Sequence, residues 1–105
     1  MNHTQLRSFH ASAAHGGFTA AAKALRISQP TITTQVRALE AKYEVELFVR
    51  SGRNVQLTPA GEELYAITKR IVQLETEAHD LLQGFGSHLA GHLRLAAVGP
   101  FVRRR

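Results

Sequence analysis

Between Pro59 and Gln83 the apolar residues Leu64, Ile67, Ile71, Leu74, Ala78 and Leu81 recur at spacings of three, four, three, four and three. A seam of that period belongs to one long α-helix carrying a heptad stripe, which Tyr65, Val72 and Leu82 widen. Thr58-Pro59 supplies its start, a capping hydroxyl followed by a proline in the first turn, and Glu62 and Glu63 lie near the helix's positive end. Gly84 reads as its stop. A helix of about 25 residues extends roughly 37 Å. Part of its stripe packs on the chain's own core, but a 105-residue chain is too small to cover all of it. The remainder wants a partner, and the simplest is the same helix from a second copy, which makes Leu64, Ile67, Ile71, Leu74, Ala78 and Leu81 candidate dimer-interface residues.

The residues before that helix hold a second pattern. Thr4 can cap a helix running to about Ala14, with Leu6, Phe9 and Ala13 on one face and His15-Gly16-Gly17 as its stop. Thr19 then caps a short alanine-rich helix in which Ala21, Ala22 and Leu25 face inward, and Arg26-Ile27 turns the chain with Ile27 dropping into the core. Ser28 opens the next helix as its N-cap, and Pro30 is tolerated in its first turn. In Ser28–Lys42, Ile32, Val36 and Leu39 can point at a core while Gln29, Thr31, Thr33, Thr34 and Arg37 face outward. Two helices held at a steep angle by small and aliphatic residues form a helix-turn-helix. The outward amides, hydroxyls and guanidinium are groups that pair with base edges and phosphates in a major groove; taken alone, they also suit an ordinary solvated helix face.

After Tyr43 the period changes. Leu47–Arg50 is a short apolar run, Ser51–Asn54 a turn cluster, and Val55–Leu57 alternates, so two short strands around a four-residue turn form a wing. Arg50 and Arg53 lie at its root and tip, where an arginine can follow a phosphate or enter a narrowed minor groove. The ordinary alternative is a solvated hairpin. Following a helix-turn-helix, the cationic wing favours the nucleic-acid reading.

Charge is distributed to match. The net charge is +5, yet residues 1–58 hold seven Lys/Arg against three Glu, whereas residues 59–83 hold two against five acidic groups and residues 84–105 hold four against none. The basic excess therefore accompanies the outward-facing helix. Arg103, Arg104 and Arg105 end the chain. There is no cysteine, which excludes disulfides and thiolate metal sites, and no apolar run suits a signal peptide or a membrane span. A cytoplasmic protein without membrane association is expected. Four glycines, Gly84, Gly86, Gly91 and Gly99, give a hinge-like C-terminal segment in which His92–Val98 alternates like the first strand of a further domain.

The run FTAAAKALRISQPTITTQVRALEAKYEVELFVRSGRNVQLTPAGEELY resembles the N-terminal DNA-binding region of LysR-type transcriptional regulators, over about residues 3–83. AAA, SQP, the LE of the third helix, LF followed by an arginine, and LTPAG fall in register, and GHLRLAAVG resembles the start of the family's effector-binding domain. The resemblance implies a mainly α fold: a winged helix-turn-helix of three helices plus a two-stranded β wing, followed by a long dimerising linker helix. It implies residues 1–58 as the DNA-binding domain, 59–83 as the linker helix, and 84–105 as a hinge leading to an effector-binding domain that is otherwise absent. Carried over, base and groove contacts fall on Gln29, Pro30, Thr33 and Thr34, with Thr31 and Arg37 close to the backbone, wing contacts on Arg50 and Arg53, and the first helix and Thr58 near phosphates. The implied partners are double-stranded promoter DNA, a second copy of the chain and, in a full-length form, RNA polymerase. No cofactor is expected in this chain; a small-molecule effector would bind the missing C-terminal domain.

Two departures stand out. Thr33 and Thr34 occupy positions where the family often carries serine and then arginine or lysine, and losing a cation at 34 removes a bidentate guanine contact worth about 1–3 kcal/mol of discrimination. Gly17 replaces the usual serine before Phe18, which removes side-chain capping there.

Two other function classes compete. A winged helix can serve as a protein-interaction and dimerisation module without DNA binding, a reading that the basic N-terminal region disfavours. An enzyme is disfavoured because neither His10 with His15 nor His88 with His92 has a nearby carboxylate in a zinc-type motif, and Gly84-Phe85-Gly86 lacks a phosphate-binding lysine.

Overall fold

The computed structural model of the chain describes residues 2–51 and 54–91. In chain order the elements are α1 (His3–His15), α2 (Phe18–Leu25), α3 (Gln29–Tyr43), β1 (Phe48–Ser51), β2 (Asn54–Leu57) and α4 (Pro59–Gly91), the mainly α winged arrangement expected. The described residues divide into two units between Arg70 and Ile71.

The start of α1 lies two residues earlier than Thr4. Asn2 is the cap: its side chain accepts from the Gln5 amide at 2.8 Å, and the Gln5 side chain accepts from the Asn2 amide at 3.3 Å. This reciprocal pair needs a Gln or Glu three residues after the cap, which Asn2 has and Thr4, followed by Arg7, has not. Gly16, at φ 79, closes α1 in the left-handed region that glycine enters without a Cβ penalty.

Helix α2 begins at Phe18, not after Thr19. Its cap is Gly17, which contributes no side-chain hydrogen bond, and the earlier start turns Phe18 into the core. Arg26 ends α2 in a left-handed conformation at φ 60, the place where glycine is the unstrained choice. Ile27 differs from expectation: it remains 37% exposed, while Ala22 and Ile32 are buried and Leu25 packs against the core. Ser28 caps α3 as expected, accepting from the Thr31 amide at 3.2 Å.

Phe9 of α1, Phe18 of α2 and Phe48 of β1 form the aromatic centre of the first unit. The Phe48 ring lies 5.4 Å from both others, tilted against Phe9 and edge-on to Phe18. Ile32, Val36 and Leu39 seal the inner face of α3. Polar atoms in this core are paired: the Ser12 hydroxyl donates to the Ser8 carbonyl at 2.8 Å, and the Ser8 hydroxyl donates to the Gln35 carboxamide oxygen.

β1 and β2 pair antiparallel from Phe48–Leu57 out to Ser51–Asn54, the two ends of the expected four-residue turn. The Glu40 carboxylate accepts from the amides of Leu47 at 2.8 Å and Phe48 at 3.3 Å, tying the wing's first strand to α3.

α4 differs most. It runs through Gly84 and Gly86 to Gly91 instead of ending near Gln83. A glycine costs a helix about 1 kcal/mol relative to alanine but ends one when it turns left-handed, and neither glycine takes a positive φ. Its inner face also differs: Thr68, outside the heptad stripe, is buried, while Ile67 is 46% exposed. Leu64 and Tyr65 pack against the first unit's core. In the second unit, Leu74, Ala78, Leu81, Leu82 and Phe85 are exposed and Ile71 and Val72 half-buried. The alternating segment His92–Val98, Gly99 and the terminal arginines lie outside the described residues.

Thr68 explains where His10 goes. Its hydroxyl meets His10 Nδ1 at 2.8 Å, and the His10 ring packs tilted, 5.3 Å between centroids, against Tyr65 of the same helix. Burial, helped by the positive charges of His15, Arg7 and Lys69, lowers the imidazole's pKa below the ordinary value near 6.5. The sign follows. The unfolded chain takes up the proton more readily than the folded one, so this contribution to stability is full above pH of about 6.5 and is lost as pH falls toward the depressed folded value. Thermal unfolding of the wild type is expected to show a lower midpoint at pH 5 than at pH 7.5, a difference that His10→Gln reduces.

Candidate nucleic-acid interface

The outward face of α3 begins at its cap. Ser28 fixes the first turn, and its hydroxyl also meets the Thr31 hydroxyl at 2.8 Å, so Thr31 is ordered by the cap itself. Gln29 and Pro30 are exposed, as are Thr34 and Arg37, while Thr33 is half-buried. The four expected groove residues therefore share the open start of one helix whose opposite face is locked into the core. The carboxamide of Gln29 is also held: the Thr19 hydroxyl of α2 donates to its Oε1 at 3.0 Å. Sequence reasoning assigned Thr19 to capping and missed this contact, for which a hydroxyl early in the preceding helix was the available signal.

Arg37 and Arg50 line one groove with Phe18 and Phe48, beside the carboxylates of Glu40 and Glu46. The Arg50 guanidinium lies 5.1 Å from the centre of the Phe18 ring, a cation–π contact that restrains a long side chain before any ligand arrives. Helix α3 and the root of the wing thus contribute one cation each to the same concavity. Arg53 lies outside the described residues. Thr58 is occupied structurally: its hydroxyl donates to the Glu46 carbonyl at 2.6 Å and accepts from the Gly61 amide at 3.0 Å, which makes it the cap of α4 and ties that helix to the wing.

In the first unit Leu64 packs against the core while Ile67 is 46% exposed; in the second unit Leu74 and Leu81 are 63% and 59% exposed. Among the described residues no group of three or more His, Asp or Glu side chains is placed to hold a metal ion, and no helix is long and apolar enough to cross a membrane.

The sequence profile of the bacterial regulatory helix-turn-helix proteins of the lysR family matches residues 3–62, from the start of α1 to the first turn of α4. The chain belongs to this family. This LysR-family chain is 40% identical over 94 residues to the RuBisCO operon transcriptional regulator of Allochromatium vinosum, a match covering 90% of this chain and 31% of that protein. It is 41% identical over 90 residues to the transcriptional regulator BudR of Klebsiella aerogenes, covering 86% of this chain and 63% of BudR. It spans about a third of several curated relatives, 31% of the first and 35% of the TfdS regulator of Cupriavidus pinatubonensis. Among solved structures, the crystal structure of a CbnR_DBD-DNA complex superimposes with a TM-score of 0.68 at 41% identity, covering 82% of this chain and 99% of that one. A BenM_DBD/catB site 1 DNA complex superimposes with a TM-score of 0.72 at 28% identity, covering 88% and 99%. The relatives are transcriptional regulators rather than enzymes, and the LysR-type helix-turn-helix fold is the one these DNA complexes contain.

Proposed function

We propose that this LysR-family chain binds double-stranded promoter DNA sequence-specifically as a homodimer, each α3 entering a major groove and each wing turned toward the adjacent minor groove. The observation that carries this reading is the start of α3. There Gln29, Pro30 and Thr34 are exposed, Thr31 is pre-set by Ser28, and the inner face is buried. Arg37 and Arg50 supply cations beside it, where the phosphate backbone of a docked duplex would run. Thr34 gives this helix a hydroxyl where a cation is common, so base preference rests more on Gln29 and on hydroxyl contacts. Arg53, outside the described residues, is the second wing arginine of this reading. The Thr58 hydroxyl, already bonded twice, is left out of this contact set.

Residues 1–58 form the DNA-binding part of this assignment, and α4 from residue 59 carries the dimer seam. Residues 84–105 lead toward an effector-binding domain, where a small-molecule effector would bind and from which a full-length regulator would communicate with RNA polymerase in the cytoplasm. Ile67, Leu74, Ala78 and Leu81 are the exposed part of the seam, and Leu82 and Phe85 extend its apolar surface. Burying a leucine is worth about 1.5–3 kcal/mol, and a two-fold interface buries each residue twice. The double variant Leu74→Asp/Leu81→Asp is therefore expected to raise the dimer dissociation constant by at least about 100-fold. Sedimentation equilibrium measures it, with helical circular dichroism showing that the chain remains folded.

A mobility-shift titration with nonspecific duplex at low salt tests the DNA reading itself. Micromolar binding that weakens steeply with added salt is the expected result. A winged-helix module built only for protein contacts would leave the duplex free.

A further inference from the structure

Thr19 stands in the first turn of α2, and its hydroxyl gives its proton to the carboxamide oxygen of Gln29 at the start of α3. Both side chains are exposed, so the bond serves no buried polar group. It fixes the end of a flexible side chain at the point where α3 is open to a ligand. We propose that Thr19 is a positioning residue for base readout: it occupies the Gln29 oxygen and turns the amino group outward, so that Gln29 donates to a base edge made of acceptors, guanine or thymine, in preference to adenine. This inference rests on the reading that α3 enters a major groove.

The chemistry of the carboxamide sets the preference. An unrestrained glutamine both accepts and donates, and so matches the amino group and N7 of adenine in a bidentate pair. With its oxygen directed at Thr19 and one of its two lone pairs occupied there, the amino group with its two N–H bonds is the end of the carboxamide left to face the groove. Guanine presents N7 and O6 to them and thymine O4, whereas adenine places its own N–H donor beside N7. The neighbouring side chains do not compete for this role. Pro30 has no hydrogen-bonding side chain, and the Thr31 hydroxyl is engaged with Ser28. Holding Gln29 before binding also removes rotamer entropy that would otherwise be lost at the interface.

The test uses the full 105-residue chain and three variants, Thr19→Val, Thr19→Ser and Gln29→Ala. Duplexes are first selected from a random pool with the wild type. The position read by Gln29 is then the one whose preference Gln29→Ala abolishes, and mobility-shift titrations compare all four base pairs there. The wild type is expected to select guanine or thymine at that position. Thr19→Val is expected to reduce discrimination against adenine by about fivefold or more, at that position alone, with melting temperature and salt dependence unchanged. Thr19→Ser, which keeps the hydroxyl, restores it.

Wild-type selection of adenine at that position overturns the proposal. So does a Thr19→Val variant that leaves the preference intact while Gln29→Ala removes it, in which case Gln29 still reads a base but without Thr19. A Thr19→Val variant that weakens every duplex alike and flattens the salt dependence makes Thr19 a phosphate contact and overturns the positioning role. If Gln29→Ala changes no preference, the base contact itself fails and positioning fails with it.

Discussion

Gly61→Ala is expected to destabilise the first unit by about 3 kcal/mol, lowering its melting temperature on the order of 10–20 °C. A Cβ at Gly61 would overlap the Leu47 carbonyl oxygen and come within 2.9 Å of Leu57 Cδ2. That carbonyl cannot move cheaply, because it accepts the Thr58 amide at 3.0 Å while the adjoining Leu47 amide is held by Glu40 at 2.8 Å. The glycine in LTPAG thus lets the first turn of α4 lie against the strand entering the wing. The same substitution at Gly86, where nothing lies within 4 Å, is expected to stabilise α4 by up to about 1 kcal/mol. Circular-dichroism melts of the two variants should move in opposite directions.

Arg37→Ala combined with Arg50→Ala is expected to have the largest effect on DNA binding. If each guanidinium neutralises one phosphate, the slope of log K against log salt falls by about 0.9 for each. The pair then costs roughly 60-fold in affinity at 0.1 M salt. The two cations line one groove, Arg50 restrained by the Phe18 ring, so they would engage the backbone together. The loss should be similar for specific and nonspecific duplexes, because phosphates carry no base identity. Losing the cation–π contact costs about 0.5–1 kcal/mol of stability, too little to mimic the binding defect. Salt-series titrations of both single variants and the double variant measure the slope directly.

Much of this arrangement was legible in the sequence because its signals are local. Ser28 with Pro30 fixed the start of α3, and the spacing of Ile32, Val36 and Leu39 fixed which side was open; all three are buried. The apolar run Leu47–Arg50, the turn cluster after it and the alternation of Val55–Leu57 gave the wing, and Thr58-Pro59 gave the start of α4. What the sequence concealed depends on contacts between distant residues or on competing uses of one residue. Thr4 and Thr19 both look like caps, but Asn2 completes a reciprocal box with Gln5, and the burial of Phe18 draws Thr19 inside α2. Thr68 breaks the apolar period of α4, yet His10 and the Tyr65 carbonyl satisfy its hydroxyl, so a polar residue takes a core position. Gly84 resembles a stop, but a helix ends at glycine through its backbone conformation rather than its identity. For the candidate interface, the residues of α3 were visible one by one. The links from Thr19 to Gln29 and from Arg50 to Phe18 required the fold, because they join neighbouring elements.

Selection of bound duplexes from a random pool, with the number of chains per duplex measured on the enriched sequence, tests the central claim most directly. The account predicts enrichment of a two-fold-symmetric site with half-sites about one helical turn or a multiple of it apart, bound by two chains, with Gln29→Ala relaxing the preference within each half-site. A pool that remains random after repeated selection, or an enriched sequence indifferent to Gln29, Thr33 and Thr34 alike, would contradict the assignment of α3 as the reading element.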